Sequence, residues 1–329
     1  MGRKRISFEG LGRLPFEEWE DEAEEIVPKK RNVYANIEVP TAYKTEEPGL
    51  ELLYYISFGS GSSGNSCYLG TEKGGVIIDA GIRADEIEKH IRANGLDMSK
   101  VQAVLLTHDH SDHIRYAYNL VRNNKHIRIY CTNRVLNGIL RNHDVSKRIK
   151  DYHQPIFKEI PFKIGDFEIT AFEVPHDGSD NMGFSFAFAR RHFVLATDMG
   201  EIRDRARYYI SEADYLVIES NYDRKMLLNG RYPRFLKERI MTSHGHMDNE
   251  ATARFIKEIV TPKLKNIFLC HLSKDNNTPE IALKIVRDAL EEAGMTVGDG
   301  METIEDRQAD VQLMALPRYE PTRLFVFRP

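Results

Sequence analysis

The stretch Thr107-His108-Asp109-His110-Ser111-Asp112-His113 follows an apolar run at residues 101–106 and places three histidines and two aspartates within six residues. An apolar run of this length predicts a buried strand. Imidazoles and carboxylates crowded at the end of a strand repel one another and need partners, so packing gives no reason for this composition. A metal ion bound at the strand end removes the conflict. The stretch therefore predicts a strand end that carries a metal centre.

The spacing within this stretch separates its side chains into two sets. His108 and His110 are two residues apart, so an extended or tightly turning backbone can present both imidazoles to one cation. Asp112 and His113 lie just beyond the turn, point elsewhere and suit a second cation. Asp109 faces away from these ligands on an alternating backbone, and we expect it to support them without binding metal. The arrangement predicts two divalent ions about 3.5–4 Å apart with a hydroxide held between them.

The pattern His108-x-His110-x-Asp112-His113 resembles the signature of the metallo-β-lactamase-fold hydrolases. Other motifs of that family stand in the expected order, each after a strand-like run, and they contain Asp79, His176, Asp198 and His271. A single motif could arise by chance, but motifs in this order make the resemblance specific.

The resemblance implies a role for each of these side chains. Two sets of three ligands are implied, one for each ion: His108, His110 and His176, and Asp112, His113 and His271. Asp198 would bridge the two ions, whereas Asp79 would support the metal loop without being a ligand. Mixed imidazole and carboxylate ligands suit Zn, Mn or Fe, so the identity of the metal is left open.

Composition is typical of a globular protein with no membrane partner. The chain has 329 residues, of which 41% are hydrophobic, enough for a sizeable core. No run of 18 or more apolar residues occurs and no apolar signal core follows the N-terminus, so we expect a soluble, cytoplasmic protein. The three cysteines form no C-x-x-C pair and indicate neither a disulfide framework nor a thiolate zinc site.

The order of strand-like and helix-like runs predicts three regions. Residues 1–50 are expected to form an N-terminal arm with one short amphipathic helix, either partly disordered or docked on the body or on a protein partner. Residues 51–298 alternate strands, such as 101–106, with helices, such as 278–293. This rhythm agrees with the α/β class and with the αββα sandwich of the metallo-β-lactamase fold, in which helices flank two mixed sheets. Residues 299–329 would be a C-terminal tail with short strands. The oligomeric state does not follow from the sequence.

A basic segment, residues 113–150, begins at the end of the motif His108-x-His110-x-Asp112-His113. The net charge of −4 gives no overall bias toward nucleic acid, but residues 113–150 contain nine lysines or arginines against one acid, Asp144. A basic surface beside a metal site suits an anionic backbone. A solvated basic face without a partner is the alternative.

Three further stretches narrow the resemblance to one branch of the family. They are residues 60–66, residues 219–223 together with 245–249, and residues 270–277, and they resemble the YycJ/WalJ branch over roughly residues 53–298. The resemblance implies a metal-dependent DNA exonuclease. The antibiotic-hydrolysing branch has arginine at the position of His113, and the gap between Asp198 and His271 is too short for the inserted cap of the RNA-processing β-CASP enzymes. This sequence departs from the branch at Tyr222, where histidine is common.

The expected activity is hydrolysis of a DNA phosphodiester, of the 5′–3′ exonuclease type, through the hydroxide between the two ions. Asp112, Asp198 and His246 would take part in catalysis. His246 precedes a predicted helix, where an imidazole can hold a phosphate oxygen or donate a proton to the leaving group. Expected substrate contacts are Ser62, Ser63, Asn65, His246, Asn249 and Asn276. A glyoxalase- or lactonase-like hydrolase of small thioesters or esters is one alternative, and a non-catalytic nucleic-acid-binding protein is another.

Overall fold

A computed structural model describes residues 51–300 and 308–328, so the arm predicted for residues 1–50 lies outside the described residues. In the first half of the described chain the elements are β1 (Leu53–Gly59), β2 (Ser66–Thr71), β3 (Gly74–Ile78), α1 (Ala84–Ala93), β4 (Val101–Leu105), α2 (Ser111–Ile114), α3 (Ala117–Asn123), β5 (Arg128–Cys131), α4 (Asn133–Asn142), β6 (His153–Pro155), β7 (Phe162–Ile164) and β8 (Phe167–Glu173).

The remaining elements lie in the second half of the described chain. Its elements are β9 (Met182–Phe188), β10 (Arg191–Ala196), α5 (Asp204–Ser211), β11 (Tyr215–Glu219), α6 (Arg224–Asn229), α7 (Arg234–Ile240), α8 (Asn249–Ile259), β12 (Asn266–Cys270), α9 (Pro279–Glu292), β13 (Val297–Gly298), β14 (Val311–Ala315) and β15 (Phe325–Phe327). None of the helices in the described part of the chain is both long and apolar enough to cross a membrane.

The strands form two mixed sheets. The first has the order β15-β1-β2-β3-β4-β5-β6, and the second has the order β13-β14-β12-β11-β10-β9-β8-β7. Strands β3 to β6 run parallel in the first sheet, as do β10, β11 and β12 in the second. Strand β14 also runs parallel to its neighbours β12 and β13, and the other pairs of both sheets are antiparallel. The expected α/β architecture of two mixed sheets flanked by helices is confirmed.

Strand β11 shows why the sheets stack and why helices cover them. Tyr215 and Val217 belong to the apolar core shared with the first sheet, whereas Leu216 and Ile218 pack in a second core with helices α5, α8 and α9. Successive strand residues point to opposite faces, so a continuous apolar run is buried on both sides. Tyr55 of β1 connects the sheets directly, because its ring centroid lies 5.0 Å from that of Phe193.

The last two strands lie within the sandwich. Strand β14 pairs with β12 and β13 of the second sheet, and β15 pairs with β1 at the edge of the first. The short strands expected in a tail therefore complete the sheets, which favours a folded body that continues past the boundary predicted at residue 298.

Candidate metal centre

The candidate site lies where strands of both sheets end. In each sheet the carboxyl ends of parallel strands meet at one edge, which is where ligands collect in folds of this kind. The residues found there are Asp79 directly after β3, His108 three residues after β4, Asp198 two residues after β10, Glu219 at the end of β11 and His271 directly after β12. Short motifs far apart in the sequence thus reach one place.

Three of these strand-end residues have an uncommon backbone conformation. Asp79, Asp198 and His271 have φ values of 57°, 52° and 53°. A non-glycine residue in this left-handed region is strained by about 1–3 kcal/mol and persists only where its surroundings hold it. Strain at three converging strand ends is typical of a functional site.

The first ligand group consists of His108, His110 and His176, whose ligand atoms all lie within 4.8 Å of one another. His108 Nδ1 lies 2.9 Å from the Thr107 hydroxyl, and its Nε2 is buried without a hydrogen-bond partner among the described residues. His176 Nδ1 donates to the Gly245 carbonyl at 3.0 Å, which leaves Nε2 free to face His110 Nδ1 at 3.3 Å. One nitrogen of each ring therefore points into the group.

The second group consists of Asp112, His113 and His271, again with ligand atoms within 4.8 Å of one another. His113 Nδ1 donates to Asp79 Oδ2 at 2.7 Å, so its Nε2 faces Asp112 Oδ2 at 3.5 Å. His271 Nε2 is buried, makes no hydrogen bond with the described residues and lies 3.6 Å from the same Asp112 oxygen. Buried ring nitrogens without partners are costly unless a ligand occupies them, and a divalent cation fits them.

Asp198 lies between the two groups. Its Oδ2 is 3.2 Å from His113 Nε2, and its Oδ1 is 3.1 Å from His271 Nδ1 and 3.9 Å from His176 Nε2. One carboxylate thus lies close to imidazoles of both groups, so the expected bridging role is compatible with its position.

Asp79 orients the centre from behind. Besides His113, it accepts hydrogen bonds from the backbone N–H of Thr107 at 2.9 Å and from the Thr107 hydroxyl. Asp79 belongs to none of the potential ligand groups among the described residues. Its contacts fix the ring orientation of His113, because a donated Nδ1 proton leaves Nε2 as the only coordinating atom.

Electrostatics divide the histidines of the centre into two kinds. Burial and neighbouring imidazoles hold the pKa of His108 well below its usual value and lower that of His176 to about 4. Burial also opposes a charge on His113 and His271, but nearby carboxylates, Asp198 first among them, outweigh it. They raise the pKa of His113 well above its usual value and that of His271 to about 10. The second group therefore carries protons that an incoming cation must displace.

Glu219 is the principal site residue that the sequence analysis left without a role. Its side chain is fully buried, Oε1 lies 2.6 Å from His246 Nδ1 and 3.1 Å from His271 Nδ1, and Oε2 accepts from the backbone N–H of Met199 at 2.9 Å. Burial opposes its ionisation, but His246 and His271 hold its pKa below the usual value. An acid at the end of an apolar strand-like run was the signal available in the sequence.

His246 lies beside the centre with its imidazole one-fifth exposed. Its Nδ1 is 3.8 Å from Asp198 Oδ1, and the bond to Glu219 leaves Nε2 available to a bound molecule. The same four side chains, Asp198, Glu219, His246 and His271, form a further group with ligand atoms within 4.8 Å. His246 thus lies beside Asp198 and His271, and its part in catalysis stays a prediction.

The residues expected to contact substrate fall into two sets in the structure, one beside the ligand groups and one away from them. Asn65 donates to Asp112 Oδ2 at 3.1 Å and to the Gly61 carbonyl, which fastens the loop carrying Ser62 and Ser63 to the second ligand group. Ser62 is exposed, and the Ser63 hydroxyl is buried without a partner among the described residues.

Asn249 and Asn276 are not brought to the ligand groups. Each is 1% exposed. Asn249 uses its amide on Ser220 and Asn277, whereas the Asn276 backbone carbonyl accepts from Asp223 N at 2.8 Å. Their contacts join loops beside the centre, which is a structural task and gives a substrate no access.

Sequence comparisons find related proteins over most of this chain. Residues 75–268 match a family described as the beta-lactamase superfamily domain. The chain is 36% identical over 251 residues to exodeoxyribonuclease YycJ of Bacillus anthracis, covering 76% of this chain and 94% of that protein. It is 32% identical over 245 residues to exodeoxyribonuclease WalJ of Streptococcus pneumoniae, covering 74% and 90%.

Solved structures share the fold at lower identity. The metallo-β-lactamase-fold protein YhfI of Bacillus subtilis superposes with a TM-score of 0.59 at 16% identity, covering 85% of this chain and 100% of that one. A diphosphatase of the PhnP family superposes with a TM-score of 0.53 at 16% identity, with the same coverage. These two likenesses concern the fold alone.

Proposed function

This chain belongs to the beta-lactamase superfamily, and we propose that it is a metal-dependent exonuclease that digests DNA from a 5′ end. The observation that carries the proposal is the pair of ligand groups joined by Asp198, in which His108 and His271 each keep a buried ring nitrogen without a partner among the described residues. The curated relatives named as exodeoxyribonucleases support DNA as the substrate.

Two divalent ions fit this donor set. His108, His110 and His176 would hold one, Asp112, His113 and His271 the other, and Asp198 would contact both. When bound, such ions lower the pKa of water toward neutrality and polarise the phosphoryl oxygen. Imidazole and carboxylate donors suit Zn, Mn or Fe.

His246, oriented by Glu219, would donate a proton to the leaving group. The Glu219 carboxylate accepts the Nδ1 proton of His246 at 2.6 Å, so it fixes the orientation of the ring and leaves Nε2 facing away from Glu219. A proton carried at Nε2 would be given to the oxygen that leaves phosphorus. Glu219 can perform this task because its pKa lies below the usual value and the carboxylate stays ionised.

The basic segment 113–150 supplies a surface for the DNA backbone. Within residues 51–300 and 308–328, none of its nine lysines and arginines forms an ion pair. Two of them, Arg134 and Arg141, are exposed on α4. This helix packs against the loop that carries the first metal motif (residues 107–113), because Asn142 donates to Asp109 Oδ2 at 3.3 Å. Unpaired cations beside the centre suit phosphates.

Other cations of this segment lie at the opposite end of the sheet. Arg122, in the last turn of α3, and Lys125, between α3 and β5, are both exposed. Strand β5 begins beside Ala103, whereas the metal motif starts after the carboxyl end of β4. Arg122 and Lys125 therefore serve as a charge-matched control for Arg134 and Arg141.

The test measures how DNA affinity depends on salt. Bound phosphates release condensed counterions, so affinity should fall steeply with salt. Replacing Arg134 and Arg141 with Ala should weaken binding of single-stranded and duplex DNA and flatten the slope of log affinity against log salt by about 2. Replacing Arg122 and Lys125 should change the slope less. Hydrolysis of a small chromogenic phosphodiester should be nearly unchanged in both variants.

Digestion of 5′-labelled single-stranded and duplex DNA completes the test. Mononucleotide release from the labelled end with Mn or Zn is the expected result. Absence of DNA cleavage with every metal, together with rapid turnover of a thioester or lactone, would replace the proposal with the glyoxalase- or lactonase-like alternative. Salt-dependent DNA binding without turnover of any ester would favour the non-catalytic binding protein. A cytoplasmic location, which cell fractionation can check, goes with the proposed substrate.

A further inference from the structure

Helices α6 and α7 form a pair inserted between β11 and α8, here called the α6–α7 hairpin (residues 224–240). It packs on a small apolar core of its own: Tyr222, Leu227 and Ile240 are buried there, with Tyr232, Leu236 and Met241 partly buried against them. This core accounts for the inner faces of the two helices. The outer faces are not needed for it.

The hairpin borders the first ligand group. Arg239 of α7 donates from Nε to Asp177 Oδ2 at 2.7 Å, and Asp177 Oδ1 lies 3.3 Å from His110 Nε2. The segment that follows α7 also reaches the centre, because the Gly245 carbonyl accepts from His176 Nδ1. A molecule bound in the metal centre therefore lies next to α7.

Phe235 stands on the outer face of α7, 58% exposed. It precedes Arg239 by four residues, which places both side chains on the same side of the helix, one turn apart. Its ring has no aromatic or cation–π partner among the residues described. Leu228 of α6 is exposed to 51%. A single exposed apolar side chain is common on protein surfaces, so exposure alone does not indicate that Phe235 binds anything.

The hairpin that carries Phe235 is strongly cationic. Residues 224–240 contain six lysines and arginines against a single acid, Glu238. Three of the cations, Arg224, Lys225 and Arg231, are exposed and form no ion pair in the described ranges 51–300 and 308–328. An exposed flat ring and unpaired cations on the same hairpin, with the ring one helical turn from a side chain that reaches the metal centre, match what unpaired nucleotides require.

We propose that the α6–α7 hairpin binds single-stranded nucleic acid beside the metal centre, with Phe235 stacked on a base and Arg224, Lys225 and Arg231 near the phosphates. The inference rests on the proposed nuclease function and specifies the strand that the site accepts. Base faces are hidden inside a duplex, so an aromatic platform selects unpaired nucleotides. An acidic peptide would use the cations but gain nothing specific from the ring.

The experiment measures binding to the full-length protein with EDTA present, so that cleavage does not interfere. Fluorescence anisotropy would compare a labelled single-stranded oligonucleotide with an abasic strand of the same length and charge. Phe235→Ala should weaken binding of the normal strand by about 5- to 150-fold, the usual range for one lost stacking contact, and leave the abasic strand unchanged. Phe235→Tyr should retain the affinity for the normal strand. Phe157→Ala, which removes an equally exposed ring (59%) between β6 and β7, is the matched control and should change neither.

The outcomes separate this inference from the proposed function. Equal affinity of Phe235→Ala and the unaltered protein for the normal strand would overturn the stacking role, even if DNA is still digested. An equal loss for the normal and abasic strands would also overturn it, since the ring would then act only through the backbone. If the unaltered protein binds neither strand, the hairpin site and the nuclease proposal both fail. Binding with the expected pattern but without DNA digestion by the metal-loaded protein would contradict the nuclease function alone.

Discussion

At the scale of single residues, three imidazoles of the centre have a partner at the ring nitrogen opposite the expected ligand atom. His113 is held by Asp79, His176 by the Gly245 carbonyl and His110 by Asp177. These contacts fix which ring nitrogen faces the ions, and such partners affect metal affinity almost as strongly as the ligands themselves.

Replacing Asp177 with Asn should weaken metal binding at the first ligand group. The substitution removes the charge that orients His110 and that Arg239 clamps, and loss of a comparable contact costs about 10- to 100-fold in metal affinity. Competition with a zinc-sensitive chelator measures the change. The control is Arg234→Gln on α7, the helix that also carries Arg239. It breaks only the exposed ion pair with Glu238, so it should leave metal affinity unchanged. Equal zinc affinity in Asp177→Asn and the unaltered protein would show that His110 needs no such support.

His246→Ala should lower DNA turnover by about 10²–10⁴, the usual contribution of a positioned proton donor. The metal content should stay the same, because the two groups of three ligands remain complete. Turnover is measured with end-labelled DNA, and metal by elemental analysis of the same samples. A fall in bound metal that accounts for the lost activity would make His246 a ligand instead.

At the scale of elements, α4 is packed against the metal loop through a glycine. A Cβ atom at Gly138 would lie 2.1 Å from Asp109 Oδ2 and 2.4 Å from Ser179 Oγ. Asp109 also accepts from the backbone N–H of Ser179 at 2.7 Å, so it joins α4, the metal loop and the loop that follows His176. The helix that carries Arg134 and Arg141 therefore depends on a position with no room for a side chain.

Gly138→Leu should destabilise the protein by about 1–3 kcal/mol, the usual cost of overpacking. It should also weaken metal binding, because Asp109 and Ser179 must move. Urea unfolding of the metal-free protein gives the first quantity and chelator competition the second. Asn137→Ala, an exposed position on the same helix, is the control and should leave both nearly unchanged. If the Gly138→Leu protein is as stable as the unaltered one, α4 can shift freely and the close packing has no such role.

At the scale of the whole molecule, the centre joins the two sheets of the sandwich. Asp79 and the first metal motif follow strands of the first sheet, whereas Asp198, Glu219 and His271 follow strands of the second. Ions bound between them would connect the two halves. Because they bind only the folded chain, they add to its stability by mass action.

Saturation with Zn or Mn should give two ions per chain and release protons on binding. At pH 7 the metal-free protein carries protons on His113, whose pKa is raised well above its usual value, and on His271, whose pKa is raised to about 10. Coordination needs both imidazoles neutral, so about two protons should leave per chain and metal affinity should rise with pH below 10. Calorimetry in two buffers of different ionisation enthalpy counts these protons. A metal ratio that stays at one after saturation would contradict the dinuclear centre.

The sequence by itself determined the strand ends and the chemistry placed on them. Residues 101–106 are predicted as a strand and form β4 at Val101–Leu105, and residues 278–293 contain α9 at Pro279–Glu292. Hydrophobic periodicity and the residues that start or end an element are local features, so they can be recognised from the linear sequence. Strand β6, with the sequence His-Gln-Pro, has no such pattern and becomes a strand only because β5 pairs with it.

Only the tertiary structure decided how the side chains around the ligands are used. Glu219 meets His246 across 27 positions of the chain, and Asp177 meets Arg239 across 62. Asn249 and Asn276 have the polarity of substrate contacts, but packing buries them. Arg122 and Arg134 read alike in the sequence, yet they lie at opposite ends of the sheet. A ligand motif is recognisable because metal chemistry restricts its residue types and spacing, whereas the partners of those ligands are chosen by contacts between distant segments, which the linear order does not record.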